Sequence, residues 1–148
     1  MKKTLFLTVG CPGSGKTTYV NRVMTKLNAW FGLRCMDCSA DEYFVGKDGK
    51  YNFDRTKLHQ AHEYCKDRVR KALRSGCDFV AVSNTSTTHK ERLPYIEMAK
   101  EWDYRVRIKY IGGVDEESIK LYAQRNIHNV PEESIRRMAE RIKSGMKK

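Results

Sequence analysis

The sequence predicts an α/β domain: a three-layer sandwich around a mainly parallel central sheet. Three observations predict it. Short apolar runs alternate with amphipathic stretches of helix length along the whole chain. Two of the runs, residues 4–9 and 77–84, are apolar almost throughout, as strands buried on both faces are. No linker, repeat or low-complexity stretch divides the 148 residues, so 1–148 read as one domain. Strands and helices alternating with right-handed crossovers fold into such a sandwich.

The elements follow in order. Residues 4–9 form a buried strand, and a helix runs from Gly15 to about Ala29 with Val20, Val23, Met24 and Leu27 at three-and-four spacing. Leu33–Cys38 is a second short strand. The loop "SADEYFVGKDGKYNF" carries a hairpin turn signal at Asp48-Gly49. A long helix extends from about Asp54 to Ser75, stopped by Gly76, with Leu58, His62, Cys65, Val69 and Leu73 as its apolar stripe. The strand at 77–84 is followed by Thr88 and Glu91 at capping-box spacing. The next helix carries Leu93, Ile96, Ala99 and Trp102, and Pro94 places its start near that proline. "YRVRIKYI" alternates strictly, Tyr104, Val106, Ile108 and Tyr110 against Arg105, Arg107 and Lys109, which predicts an edge strand wet on one side. Two helices close the chain, about 115–127 and 131–145, with Pro131 in the first turn of the second.

Composition bounds the function. Hydrophobic residues make up 40% and charged residues 32%, ordinary for a soluble globular protein. No apolar run approaches the roughly 20 residues that span a bilayer. The apolar start flows straight into a glycine loop, which reads as a strand rather than a signal peptide. Five cysteines without a secretion signal fit reduced thiols and a cytoplasmic location. Cys35 and Cys38 have C-x-x-C spacing with no second ligand pair, so they read as small strand-end residues and not as a zinc site.

Gly10-Cys11-Pro12-Gly13-Ser14-Gly15-Lys16-Thr17 satisfies G-x-x-x-x-G-K-[ST] in full, between a strand and a helix. Its glycines let the backbone turn N–H groups inward around a phosphate, and the helix adds the positive end of its dipole. Lys16 is placed to reach β- and γ-phosphates and the Thr17 hydroxyl to ligate Mg²⁺, with Thr18 completing the nucleotide site. The cofactors so predicted are ATP and Mg²⁺. The chain has no N-K-x-D guanine signature, and the strand at 77–84 ends in Ser83-Asn84-Thr85 rather than the paired acids of a hydrolytic ATPase. A kinase, which needs a base, a lid cation and an acceptor groove, fits better. Asp41, directly after the second strand, lies at the carboxyl end of the sheet where α/β proteins assemble their sites. It either takes a proton from an acceptor hydroxyl or caps a turn.

The segments "GCPGSGKTT", "SADEYF", "DGKYNF", "AHEYCKDRVRKALRSG", "VSNTST" and "RNIHNV", in this order over nearly the whole chain, resemble the P-loop kinase domains of the polynucleotide kinase family, phage and small eukaryotic members alike. The resemblance implies a P-loop NTPase sandwich with a short C-terminal helical lid. It implies ATP and Mg²⁺ at Lys16 and Thr17, Asp41 as general base, and a lid arginine, here Arg125, on the transferring phosphate. It also brings in His62, in an Ala-His pair, and Asn84, where the phage enzyme has aspartate. That enzyme grips the acceptor phosphate with an arginine three residues after its base; this chain has Phe44 there. The resemblance implies the 5′-OH of DNA or RNA as acceptor, and Phe44 is the reason to keep a hydroxymethylated base, a nucleoside or another small molecule as the alternative. A nucleotide-binding module without transfer activity is the rival from another class.

Tyr43, Phe44, Tyr51 and Phe53 either stack on a base or bury the hairpin. His128, near Arg125, is a further phosphate candidate. The net charge of +11 favours a polyanionic partner, nucleic acid and not a membrane. Lys66, Arg70 and Arg74 repeat along one helix flank as the expected track, and residues 136–148 add six basic groups against one acid.

Overall fold

The computed structural model describes residues 2–125 and 130–146. Four parallel strands, β1 (Thr4–Val9), β2 (Cys35–Cys38), β3 (Phe79–Val82) and β4 (Arg105–Tyr110), pair in the order β2-β3-β1-β4. Five α-helices are described: α1 (Lys16–Phe31), α2 (Leu58–Arg74), α3 (His89–Glu101), α4 (Glu116–Arg125) and α5 (Glu132–Met146). Side chains alternate across β1, and this sorts the layers. Leu5 and Leu7 share one core with Val80, Val82 and the inward faces of α2 and α3. Phe6, on the opposite face, joins Phe79, Ala81 and Val20 beneath α1. The chain leaves β1 in one direction through α1 and returns past it to β4 through α3 on the other face, as right-handed crossovers require. A third cluster packs α4 and α5 onto Val9 and Cys11 at the carboxyl end of β1.

Local chemistry sets the element ends. Gly32, at φ 63°, closes α1: its N–H donates to the Asn28 carbonyl, and Leu33 N donates to that of Leu27. The Thr88 hydroxyl accepts from Glu91 N, and the Glu91 carboxylate accepts from Thr87 N, so the cap fixes the start of α3 at His89. That start differs from the one Pro94 suggests. The proline lies inside the helix, six residues after the Thr88 cap. Pro131 precedes α5 rather than opening it, and its carbonyl accepts from Ser134 N and Ile135 N. The predicted second and third strands shorten to Cys35–Cys38 and Phe79–Val82. The Asp48-Gly49 turn forms with Gly49 at φ 77°, closed by a single bridge between Val45 and Tyr51.

Two apolar assignments change. The buried stripe of α2 is Ala61, Cys65, Val69, Ala72 and Leu73, while His62 and Leu58 are exposed. β4 is an edge strand, as its alternation predicts, but only Tyr104 and Val106 of its apolar face pack inward. Ile108 and Tyr110 stay exposed, because among the described residues α3 covers only the first half of the strand. All five cysteines are thiols, and no cluster of metal ligands occurs among the described residues. No helix there is long and apolar enough to cross a membrane.

Candidate active site

The glycine loop wraps between the end of β1 and the start of α1. A Cβ on Gly10 would stand 2.7 Å from the Ile111 carbonyl oxygen, and one on Gly13 2.9 Å from that of Tyr122, so neither position admits a side chain. Gly10 N donates to Thr85 O and Ser14 N to Cys11 O, which pins the loop to the end of β3. The amides of Gly13, Gly15, Lys16 and Thr17 are committed to no carbonyl among the described residues. Those N–H groups, at the positive end of a 16-residue helix, form a concave donor set for an anion. The Ser14 hydroxyl oxygen is buried in the same loop with no partner among the described residues.

Lys16 bends back over this concavity. Its Nζ donates to Cys11 O at 2.8 Å and to Gly10 O at 3.2 Å. Burial lowers its pKa to about 8, while the Asp41 carboxylate and then Cys11 pull the other way. The lysine therefore feels the carboxylate across the site. Burial pushes the Cys11 thiol up, against the nearby Lys16 charge. Half-buried Pro12 sits in the bend, and Thr17 and Thr18 are exposed in the first turn of α1.

Asp41 rides on a single 3-10 turn, Ala40–Phe44, directly after β2. Three contacts hold that turn. The Ser39 hydroxyl accepts from Asp41 N at 3.1 Å, the Asn84 side-chain carbonyl accepts from Ala40 N at 2.9 Å, and Glu42 forms an ion pair with Arg68 of α2. The carboxylate itself is exposed, and the Tyr51 hydroxyl donates to its Oδ1 at 3.3 Å. Burial and the Asp41 charge hold the Tyr51 phenol well above its ordinary pKa, so it stays a donor. Below, the Asp37 carboxylate accepts from the Ser83 hydroxyl at 3.0 Å. Burial raises its pKa to about 6, opposed by that hydrogen bond and by Arg68.

The predicted residues thus divide. The loop residues, Lys16, Asp41 and Asn84 gather at the carboxyl ends of β1, β2 and β3. Asn84 acts by bracing: its amide also donates to Cys65 Sγ at 3.6 Å. Phe44 is buried, edge-to-face with Tyr43, Tyr51 and Phe53, so its ring belongs to the core. His62 is exposed on α2, Arg70 pairs with Asp67 on the same helix, and Arg125 is exposed in the last turn of α4. His128 lies outside the described residues. Sequence reasoning overlooks the Tyr51 hydroxyl, Ser39 and the Glu42–Arg68 pair. Ser39 had a signal, a capping-type residue two positions before the acid; Tyr51 and Arg68 meet the turn only through tertiary folding.

The family described as AAA domain matches residues 5–144. The chain belongs to that family, and its fold is that of the P-loop kinases. A human relative, NEDD4-binding protein 2, is 32% identical over 136 residues, which are 92% of this chain and 7% of that protein. Among solved structures, a chain of the Pnkp1/Rnl/Hen1 RNA repair complex superposes with a TM-score of 0.74 at 13% identity, covering 99% of this chain and 46% of that one. The Mycobacterium tuberculosis APS kinase CysC, in complex with AMPPNP and APS, superposes with a TM-score of 0.61 at 14% identity, covering 99% of both chains.

Proposed function

We propose that this P-loop domain is an ATP- and Mg²⁺-dependent kinase that phosphorylates a hydroxyl, with the 5′-OH of a polynucleotide as the first candidate acceptor. The observation that carries the reading is a donor-lined loop with Lys16 folded over it at the carboxyl end of β1, and Asp41 braced at the carboxyl end of β2 in the same sheet. ATP bound there supplies the transferable phosphoryl group. The loop amides and Lys16 would hold the triphosphate, and the Thr17 hydroxyl would ligate Mg²⁺. Asp41, exposed yet fixed by Ser39, Asn84 and Tyr51, would accept the proton of the attacking hydroxyl. Arg125, near the lid, would offset charge on the group in transit.

The likeness to an RNA repair complex supports a nucleic-acid acceptor. A specific observation favours a second reading: Phe44, at the position where the phage relative places its phosphate-gripping arginine, is 6% exposed and packed among aromatics. An acceptor without a 5′-terminal phosphodiester, such as a nucleoside or another small hydroxyl compound, needs no cation there. Transfer of labelled phosphate from ATP to a panel of 5′-OH DNA, 5′-OH RNA, hydroxymethylated DNA and nucleosides separates the two. Lys16→Ala is expected to abolish transfer and weaken ATP binding while the domain stays folded. Unchanged turnover at saturating ATP would remove the assignment.

A further inference from the structure

Among the described residues, helix α1 alone covers the Phe6 face of the sheet. A helix is roughly 10 Å across and four strands span about 14 Å between their outer axes. It lies over β1, β3 and β2, where Val20 meets Phe79 and Ala81 and Cys35 packs beside Met24. β4 on that face is left open. The register pairs Thr4 with Arg105, Phe6 with Arg107 and Thr8 with Lys109, so these three cations project on the α1 side, and all three are exposed. Lys109 confirms the direction: its ammonium sits 5.8 Å from the centre of the Tyr19 ring of α1, and that ring stacks on Phe6. Counting along α1 from Tyr19, Arg22, Lys26 and Trp30 follow at helical spacing on the same flank. Arg22 and Lys26 are exposed, and Trp30 is 71% exposed.

The three β4 cations line the open trough beside α1, and Arg22 and Lys26 add two more on the Tyr19 flank of that helix, five in all. Neither element contains an acidic residue, and none of the five takes part in an ion pair among the described residues. We propose that this trough is a docking surface for single-stranded nucleic acid, separate from the phosphoryl-transfer site. Charge selects a polyanion. Two further features select a polynucleotide. The β4 cations repeat every second residue, about 6.6 Å apart, a regular ladder that suits a chain of phosphates. Tyr19 stands beside Lys109, and Trp30 lies exposed further along the same flank of α1, as stacking platforms do in single-strand binders. The trough flanks the β4 edge while Asp41 follows the β2 edge, three strand spacings or about 14 Å across the sheet. A strand lying here is held by its body, not presented to the base, and the proposal stands whichever hydroxyl is phosphorylated.

The test is fluorescence-anisotropy binding of labelled oligo-uridylate and oligo-thymidylate of about 20 nucleotides, longer than usual single-strand sites of about 4–16. The R105E/R107E/K109E variant is expected to bind about tenfold or more weakly, and its log–log salt slope to fall by about 2, the share of three contacts. R105Q/R107Q/K109Q is expected to move both quantities in the same direction. Trp30 emission should be quenched by the oligonucleotide, and Trp30→Ala should weaken binding about fivefold or more. Affinity for a fluorescent ATP analogue, unchanged in all three variants, reports an intact fold and loop. Oligonucleotide affinity and salt slope unmoved in both triple variants would overturn the proposal. So would heparin binding as tightly as the oligonucleotides with no effect of Trp30→Ala, which marks a general polyanion surface. Binding to phosphatidylserine vesicles that the reversal abolishes, with oligonucleotide binding intact, would overturn it in favour of a membrane.

Discussion

At the β2 edge of the sheet, polar groups are tied to one another. Asp37 takes the Ser83 hydroxyl, Asn84 braces the turn through Ala40, Glu42 pairs with Arg68, and Tyr51 reaches Asp41. At the β4 edge, three cations and two large apolar side chains stand in solvent with one ring contact between them and α1. The same sheet thus ends in an ordered polar network on one side and an open, charged flank on the other. Position explains it: among the described residues, α2 packs against β2, whereas no strand pairs beyond β4 and Arg105, Arg107 and Lys109 stay exposed. An edge that aims a base must be rigid, while an edge that holds a long anion must stay accessible.

The basic residues of α2 sharpen the contrast. Lys66 is paired with Glu63 at 3.1 Å, Arg70 with Asp67 at 2.8 Å, and Arg74 stands 6.0 Å from the Trp102 ring. Their periodicity in the sequence is as regular as that of β4. Each has a local partner, and an arriving anion would have to compete with it. The β4 and α1 cations have no acidic partner among the described residues, so periodicity of charge locates a track only once its counter-charges are known.

The largest expected effect comes from truncating one apolar residue at each edge. Phe44→Ala removes a buried ring that touches three aromatic neighbours, and should cost about 3–5 kcal/mol in chemical denaturation. Ile108→Ala, at a side chain 43% exposed, should cost under about 1 kcal/mol. Similar losses at both sites would mean that β4 is as well packed as β2 and would dissolve the comparison.

Next in size is the chemistry itself. Asp41→Asn keeps the shape of the turn and its Tyr51 contact but removes the base. Turnover should fall about 10²-fold or more, with ATP affinity near that of the parent. A collapse of nucleotide affinity at intact turnover would instead place Asp41 in the metal shell.

Much of this contrast is legible in the sequence. The glycine loop is, because its donor set is local: eight consecutive residues carry the whole motif. The parallel sheet is, because buried strands are written as continuous apolar runs at Leu5–Val9 and Phe79–Val82. β4 shows where legibility stops. Alternation reveals an edge, but which half of the strand is covered depends on where α3 ends, and Ile108 carries no sign of that. His62 fails for a related reason: it fits the three-and-four spacing, yet the stripe that packs is set by the tilt of α2 on the sheet, and Ala61 takes the inward place. Tyr51 reaches Asp41 only because the hairpin folds back across ten residues.

The smallest effect expected concerns Asp37, the acid beneath the turn. Its pKa in the fold is about 6, raised from 3.8 chiefly by burial, so the folded state holds its proton more tightly than the unfolded chain. Between those two values the fold binds the extra proton, and stability must fall as pH rises. Below about pH 4 both states are protonated and the neutral acid is tolerated; above about pH 6 both are ionised and the burial of the charge is felt in full. Asp37→Asn fixes the neutral shape and can still accept from Ser83. Melting temperatures from pH 4 to pH 7 should therefore coincide for variant and parent at the acid end and diverge upward in favour of the variant, by several degrees at pH 7. A parent that is the more stable of the two at pH 7 would show that the ionised carboxylate is a net support of the turn through Arg68. The rigidity of the β2 edge would then rest on that charge pair, and Arg68→Gln should reproduce the loss.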